Sequence, residues 1–321
     1  MTTERISTRD AYGTALLQLG ERVESLVAVD ADAASSTRAS VFASRFPERY
    51  LNLGISEQNM VLVAAGLALC ERTVFAASFA SFLVGRAYEQ IRDAIAIPSL
   101  PVRLVGTHGG VTVGEDGATH QMLEDIALMR LLPGMAVLCP SDHPSAVAQI
   151  CAANAWKGPA YVRLGRMPLP LVYDPSDTDF HIGGARILRE GDGVTICACG
   201  ILIREALEAA TILSQQNINA EVIDCYSISP LPSEIILSSV HRTGCCVVAE
   251  EHFLKGGLCE AVSHLLCEHY PVPVSSVAVR DFFGQSGTPE ELQEYYGLTS
   301  ERIVSAAFQA WTLRRRSPGV F

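Results

Sequence analysis

Short apolar runs alternate with longer segments of helical periodicity along most of the chain. The runs typical of buried strands span residues 26–30, 73–77, 102–106, 135–138, 160–164, 220–225, 245–250 and 274–279. The segments typical of helices span residues 8–20, 60–70, 86–96, 124–131, 142–153, 203–215, 233–240, 257–269 and a tail from residue 288. Because strands that alternate with helices favour parallel pairing, the pattern predicts an α/β fold with two doubly wound, mostly parallel sheets.

The alternation breaks between residues 167 and 182, where prolines and aspartates cluster as in an interdomain linker. We therefore predict a first domain over residues 1–170, a linker over 171–184 and a smaller second domain over 185–321. Within the second domain, the apolar runs at 185–188 and 194–199 flank the turn sequence EGDG, which predicts a β-hairpin.

The tripeptide Gly191-Asp192-Gly193, with Asn217 and Asn219 downstream, imitates a motif that binds Mg²⁺ and diphosphate. That motif needs an apolar strand before it and a helix after it. Here a charged pair precedes the tripeptide and a strand follows it, so we predict a turn and no metal site.

Charge and cysteine usage narrow the classes of partner. The formal net charge of −11 argues against nucleic acid or an anionic membrane as a main partner. The ten cysteines are scattered without a CxxC pair, which favours reduced thiols in a cytoplasmic protein. No apolar signal segment and no run long enough to cross a bilayer is present in the sequence, so no membrane role is predicted.

Glu57 is the main candidate for chemistry. Ser56 can cap the apolar helix that follows, and Glu57 then lies in the first helical turn. The simplest interpretation is that this carboxylate stabilises the helix start. Because the apolar run at 60–70 has no polar face, however, we expect the helix to be wholly buried. Its carboxylate must then face a partner, a ligand or a cavity.

A second group of candidates follows the predicted strands. Asp116 lies in a glycine-rich loop flanked by His108 and His120, and such loops often house acid–base residues. Ser36 and Arg166 lie just past strand ends, where side chains either contact ligands or cap helices.

Two further positions allow two interpretations. Phe79 and Phe82 are three residues apart, which suits a wall for an aromatic ligand, although core packing is the default interpretation. Asp32 follows the first buried strand, where a ligand contact is common, although a helix cap is the default interpretation from the residues alone. No Walker A, GxGxxG, GxSxG or zinc-type spacing offers another chemistry.

Taken in order, these motifs resemble the C-terminal half of transketolase, that is, its pyrimidine-binding domain and its C-terminal domain. The motifs are GISEQNM at 54–60, SFASF at 78–82, RAYEQIR at 86–92, TH at 107–108 and GEDGATHQ at 114–121. The resemblance covers nearly the whole chain. It implies a pyrimidine-binding domain followed by a C-terminal domain whose role is packing and dimerisation.

The resemblance implies a cofactor role for one set of residues. Glu57 matches the glutamate that bonds the aminopyrimidine of thiamine diphosphate and promotes deprotonation of the thiazolium. Phe79 and Phe82 match the aromatic wall against the pyrimidine, which reverses the core interpretation. Asp32 and Arg86 match further residues around the cofactor.

It also implies a substrate role for a second set. His120 and Asp116 match contacts to substrate hydroxyls and, with Glu57, make up the implied catalytic residues. Ser36, His108 and Arg166 match the phosphate-binding group, in which the imidazole and the guanidinium supply charge-assisted hydrogen bonds.

The resemblance further implies a missing part, the domain that holds Mg²⁺ and the diphosphate. We therefore expect an N-terminal partner subunit, an α2β2 assembly and sugar-phosphate substrates. Four alternatives stay open: a transferase with a sulfosugar donor or a carrier-protein acceptor, a 1-deoxyxylulose-5-phosphate synthase-like subunit, a 2-oxo acid dehydrogenase β-like subunit, and a non-catalytic scaffold.

Overall fold

The computed structural model describes residues 4–314 and confirms an α/β fold with two mostly parallel sheets. In the first half the strands are β1 Arg5–Ser7, β2 Leu26–Asp30, β3 Tyr50–Asn52, β4 Thr73–Phe79, β5 Val102–Thr107, β6 Ala136–Leu138, β7 Ala160–Arg163 and β8 Pro168–Pro170. The α-helices there are α1 Thr8–Arg22, α2 Ala34–Thr37, α3 Ala39–Arg45, α4 Glu57–Leu69, α5 Ala87–Gln90, α6 Asp125–Arg130 and α7 His143–Ala155. Shorter helical pieces complete this half: the π segments Ser81–Arg86 and Ile91–Ala96, and the 3-10 turns Pro47–Arg49 and Val111–Val113.

The second half repeats the same alternation. Its strands are β9 Arg186–Arg189, β10 Val194–Ala198, β11 Ala220–Asp224, β12 Ser227–Ser229, β13 Cys246–Phe253 and β14 Val274–Val279. Its helices are α8 Leu202–Ser214, α9 Ser233–Thr243, α10 Leu258–His269, α11 Pro289–Tyr295 and α12 Ser300–Leu313. The predicted helical tail is thus two helices, each of which begins after a threonine that accepts a backbone N–H bond.

The larger sheet has the order β12-β6-β7-β5-β4-β2-β3, and only β12 at its edge is antiparallel to its neighbour. The smaller sheet has the order β14-β13-β10-β11-β9, with β9 antiparallel. The strand β12 belongs to the second half of the sequence but extends the sheet of the first half. A three-residue strand has no apolar run long enough to be predicted from the sequence.

The predicted hairpin around the EGDG turn is wrong. β9 pairs with β11, and β11 separates it from β10. The Gly191-Asp192-Gly193 turn connects two strands and lies against the backbone that leads into β11. A Cβ atom on Gly191 would lie 2.4 Å from the carbonyl carbon of Ala220. The local turn signal is correct, but the pairing is set by a strand that comes later in the chain.

Two predictions for the helix after Glu57 also need correction. The Ser56 hydroxyl donates to the carbonyl of Leu53 at 2.7 Å and does not cap α4. The helix is buried on one side only, since Leu62 is 50% exposed and Leu69 is 70% exposed. The even distribution of apolar residues around this helix therefore reflects one packed face and one open face, and only the packed face belongs to the core.

A shared core joins the two halves of the molecule. Ile126 and Met129 of α6 belong to the same apolar cluster as Val248 of β13 and Leu258 of α10. A second cluster lies between the smaller sheet and α8 and α12, and it also includes Val111, Leu123, Met167 and Leu169 of the first half. Because both clusters span the two halves, burial of apolar surface holds the halves together.

Candidate functional site

The ends of four neighbouring strands bring the candidate residues together at one edge of the larger sheet. In this sheet β2, β4, β5 and β7 are adjacent and parallel. Asp32 follows β2, Phe79 ends β4, His108 follows β5 and Arg166 follows β7. The carboxyl edge of a parallel sheet is where α/β proteins bind ligands. The structure therefore gathers at one rim several residues that are distant in the sequence.

Glu57 is the first residue of α4 and is only 1% exposed. The Nη1 atom of Arg86 donates to its Oε2 atom at 2.6 Å. The Arg86 guanidinium also lies over the Phe82 ring, 4.8 Å from the ring centroid. A buried carboxylate is costly unless it is paired, and Arg86 supplies that pairing. Two residues that the sequence predicted separately thus form one ion pair.

The aromatic rings form a wall at this rim. Phe79 and Phe82 stack with ring centroids 5.6 Å apart and an angle of 6° between their planes. His120 presents its edge to both rings, with a centroid distance of 5.3 Å to Phe82. His108 stacks on Phe79 at 3.8 Å. Both phenylalanines are half-buried, so core packing, the default from their spacing, does not describe them.

His108 is enclosed by hydrogen-bond partners and is 2% exposed. Its Nε2 atom lies 3.1 Å from Nη1 of Arg9, and its Nδ1 atom lies 2.8 Å from the Thr107 hydroxyl. Burial, reinforced by the charges of Arg9 and Arg166, lowers the pKa of His108 to about 3. The imidazole is therefore neutral at pH 7, and its Nε2 atom accepts from Arg9. The expected charge-assisted donation by His108 is not available in this arrangement.

This neutral imidazole predicts a pH dependence of stability. The histidine of the unfolded chain binds a proton below about pH 6.5, whereas folded His108 stays neutral, so the free energy of unfolding falls as the pH drops below that value. Urea unfolding at pH 7 and at pH 5 measures how much the free energy of unfolding decreases between the two. We expect this decrease to be smaller by about 2 kcal/mol in His108→Asn than in the wild type. Asparagine suits the positive φ of 58° at this position. His264→Gln, an exposed position, is the control, and parallel curves for the wild type and His108→Asn would contradict the prediction.

Arg9 is a site residue that the sequence did not predict. Its Nη1 atom donates to the carbonyl of Ser36 at 3.4 Å as well as contacting His108. Its Nε atom is buried and has no hydrogen-bond partner within residues 4–314. Burial lowers the pKa of Arg9, and the charges of Arg38 and Arg166 act in the same direction. Arginines held this close, with a donor left unsatisfied, favour an anion between them.

Arg166 and Asp116 contact each other directly. The Nη1 atom of Arg166 donates to Asp116 Oδ2 at 3.2 Å and to the carbonyl of Val113 at 2.9 Å. Both side chains are partly exposed. The resemblance implies different roles for them, with Arg166 at a phosphate and Asp116 at a sugar hydroxyl. Their hydrogen bond brings the two side chains next to each other.

Asp32 lies on the rim, where its hydrogen bonds are with Asn52. Its backbone N–H donates to Asn52 Oδ1 at 3.1 Å, and the Asn52 amide donates back to its carboxylate at 3.3 Å. The side chain is exposed and the φ angle is 61°. The contacts of Asp32 are thus local, with β3.

Within residues 4–314, no group of three or more His, Cys, Asp and Glu side chains is arranged to hold a metal ion. In that same part of the chain, no helix has the length and apolar character needed to cross a membrane.

Comparison with known proteins identifies the family. A model of the transketolase pyrimidine binding domain matches residues 4–171, which is more than half of the chain, and a model of the transketolase C-terminal domain matches residues 183–303. The chain belongs to the transketolase family. This confirms the resemblance inferred from the motifs.

The relatives show which part of a transketolase the chain corresponds to. It is 43% identical to a transketolase C-terminal section from Methanocaldococcus jannaschii, over 92% of this chain and 93% of that protein. It is 39% identical to a 6-deoxy-6-sulfo-D-fructose transketolase subunit from Clostridium sp. (strain MSTE9), over 94% and 93%. A solved split gene transketolase, described as an inactive beta4 tetramer, superimposes with a TM-score of 0.91 at 46% identity and covers 97% of this chain and 100% of that one. By contrast, the chain spans only 49% of human transketolase. It is therefore a transketolase-like C-terminal subunit of the split type.

Proposed function

We propose that the chain is the C-terminal subunit of a thiamine-diphosphate-dependent transketolase, a transferase of aldehyde or ketone residues. The complete enzyme moves a two-carbon ketol unit from a ketose phosphate to an aldose acceptor. The observation that carries the proposal is the single rim on which the buried Glu57, the wall of Phe79 and Phe82, and the cluster of Arg9 and His108 lie together.

The residues present fit the pyrimidine end of thiamine diphosphate. Glu57 is buried, with one carboxylate oxygen bonded to Arg86, and no hydrogen bond to the other is found within residues 4–314. The stacked rings of Phe79 and Phe82 offer apolar surface for a flat heterocycle. When bound, this cofactor supplies the nucleophilic carbon that takes up the two-carbon unit. The Mg²⁺ ion and the diphosphate would be held by the partner subunit.

The chain's own residues then have distinct tasks. The Glu57 carboxylate would hold a proton at a ring nitrogen of the pyrimidine, and Arg86 keeps that carboxylate in place. His120, edge-on to both phenylalanines, lies in the same loop as Asp116. His120 and Asp116 would orient sugar hydroxyls by hydrogen bonds, which fixes the reacting carbon in position.

The cluster of Arg9, His108 and Arg166 would hold the anionic end of the substrate. The two guanidinium groups supply charge, and the neutral imidazole is held by Arg9. Arginine is suited to bidentate recognition of phosphate oxygens. A bound phosphate would favour a protonated His108, so binding of the anion and uptake of a proton are coupled.

A sulfonate donor is the second candidate. One similar relative is named for 6-deoxy-6-sulfo-D-fructose, and two arginines beside a neutral histidine also suit a monoanion. Comparing turnover of a ketose phosphate with that of the matching sulfosugar separates the two candidates. The preferred donor should show the higher kcat/KM with the same pair of subunits.

An N-terminal partner subunit is part of the proposal, and the open face of α4 supports it. Leu62 and Leu69 are seven residues apart in α4 and so share one face, Ile55 lies two residues before the helix, and each of the three is at least half exposed. Exposed apolar stripes of this kind mark surfaces that another protein covers. The N-terminal subunit, which would complete the cofactor site beside Glu57, is the occupant we propose, within an α2β2 assembly.

Replacing Leu62 by aspartate is expected to weaken association with the partner subunit by at least about 30-fold, because losing an interface hot spot costs at least 2 kcal/mol. The free chain should keep its fold, since this side chain is already half exposed to water. Titration of the labelled chain with the partner measures the association. Light scattering of the free chain shows whether it keeps its compact size. Leu131→Asp, at a residue 72% exposed on α6's end, is the matched control. Equal affinities for both variants would exclude this face as the interface.

Calorimetry of thiamine diphosphate with Mg²⁺ tests the proposed function. Binding is expected only when the chain is mixed with its partner subunit, and ketose phosphates should then be turned over. Tight binding by the chain alone would contradict the shared site. Assembly without cofactor binding or turnover would favour a scaffold.

A further inference from the structure

The second domain packs against the backbone of the loop that carries the substrate residues. Gly109 and Gly110 lie between Arg163 of β7 and Glu251 of β13. A Cβ atom on Gly109 would lie 2.6 Å from Nε of Arg163, and one on Gly110 would lie 2.1 Å from Cδ of Glu251. The loop backbone therefore leaves no room for side chains between these two charged groups.

Glu251 is the second-domain residue that holds this loop. It is 3% exposed, and its Oε1 atom accepts the backbone N–H of Thr112 at 2.8 Å. Arg163 donates to the backbone carbonyl of Glu251 at 2.9 Å, and its Nη1 atom lies 4.0 Å from the Glu251 carboxylate. Arg163 is in turn fixed by Asp125, at 2.9 Å. Arg163 and Glu251, the two charged residues beside the loop, are therefore themselves held in place by other residues.

The other end of the loop rests on the second domain as well. The Gln121 amide donates to the carbonyl of Gln285 at 2.9 Å and to the loop carbonyls of Val111 and Gly114 at 3.1 and 3.2 Å. His120, the residue before Gln121, contacts the aromatic wall. Second-domain residues therefore contact the loop just after His108 and just after His120.

A buried ion pair alone would say little about function, because such pairs contribute little net stability. What distinguishes Glu251 is that its carboxylate ends on a loop amide two residues from Gly110. An N–H group left unpaired in this buried position would be costly, so the loop would move to find another acceptor.

We propose that Glu251 is a positioning residue for the substrate site, which by holding residues 110–112 fixes His108 and the Asp116–His120 part of the loop against the aromatic wall. The second domain then has a part in substrate binding besides packing. The substrate side of this inference rests on the proposed function, whereas the effect on the loop does not.

Glu250 provides a matched control. It is the preceding residue on β13 and is fully buried, but its carboxylate accepts the N–H groups of Leu258 and Cys259 at the start of α10, both at 2.7 Å. Glu250→Ala therefore removes an equally buried carboxylate that does not touch the loop.

Hydrogen exchange on the full chain, read by mass spectrometry, tests the proposal. Glu251→Ala should raise exchange at least about tenfold in peptides over residues 107–122 and leave residues 256–262 unchanged, while Glu250→Ala should do the reverse. In the assembled complex, Glu251→Ala should raise KM for the sugar phosphate about tenfold or more, with a smaller change in kcat. Glu251→Gln, which retains a carbonyl acceptor for Thr112, should restore protection of the loop.

The outcomes separate this inference from the proposed function. Faster exchange spread evenly over the chain in both alanine variants would mean that Glu251 only stabilises the fold, and would overturn the inference. An active wild-type complex whose loop exchange and KM do not respond to Glu251→Ala would overturn it while leaving the function intact. A mobile loop in a chain whose complex has no transferase activity would support the positioning role and refute the function. If Glu251→Ala prevents folding, Glu251→Asp is used in its place, because its shorter side chain withdraws the acceptor from the Thr112 N–H. Glu251→Asp is then compared with Glu251→Gln in the same experiments.

Discussion

Glu57→Gln is expected to lower kcat of the assembled complex by at least about 100-fold, because positioned proton transfer contributes 10²–10⁴ in rate. Glu57 is the buried carboxylate on the rim that is paired to a single arginine, Arg86. Glutamine keeps the size of the side chain but removes its ability to hold a proton at a ring nitrogen. Steady-state turnover, together with deuterium exchange at the reactive carbon of added thiamine diphosphate, measures the loss at two levels.

Glu89→Gln is the control for this experiment. Glu89 is exposed, lies three residues after Arg86 and bonds only to the neighbouring Gln90 in the described part of the chain. Its replacement should leave turnover unchanged. Near-normal turnover in Glu57→Gln, with assembly intact, would show that this carboxylate has no catalytic role.

The second large effect is expected from Arg9→Gln, which should lower kcat/KM for a phosphorylated substrate by about 10- to 150-fold. A hydrogen bond to a charged group contributes about 1.5–3 kcal/mol, and 1.4 kcal/mol corresponds to tenfold. Arg9 has an unsatisfied buried Nε atom and also orients His108. The corresponding substrate without phosphate should be turned over as by the wild type.

Arg38→Gln separates a specific contact from a general loss of positive charge. The Arg38 guanidinium is bound to Asp10 at 2.6 Å, so it is already neutralised by a partner. We expect a small effect there, and a stronger one in Arg9→Gln that is confined to the phosphorylated substrate. Equal losses for phosphorylated and unphosphorylated substrates in Arg9→Gln would mean that Arg9 acts on the structure of the rim and does not bind phosphate.

The part of this site that the sequence could predict is the part set by strand ends. Parallel strands bring their carboxyl ends to one edge, so the positions of Phe79, His108 and Arg166 follow from the order of strands and helices. The class of fold follows from the same alternation. Neither the fold class nor the positions of these strand-end residues requires knowledge of which side chains are in contact.

Contacts between distant segments could not be predicted from local patterns. Arg9 precedes His108 by 99 residues, and they meet because the start of α1 lies beside the end of β7, where the Arg9 N–H donates to the carbonyl of Gly165. The neutral state of His108 depends on burial and on neighbouring charges, which a sequence does not display. The incorrect hairpin has the same origin, since β11 enters between two strands that are neighbours in the chain. The open face of α4 was missed because alanine and glycine give a helix no polar side to recognise.

The short strand β12 has a consequence for how the molecule is divided. Residues 227–229 complete the outer edge of the first sheet by pairing with β6, so a fragment cut in the segment after β8 would leave β6 as an unprotected edge. Exposed sheet edges recruit other strands and promote aggregation. The pyrimidine-binding part and the C-terminal part therefore have to be encoded together, because a gene for the first part alone would specify a sheet that lacks its edge strand.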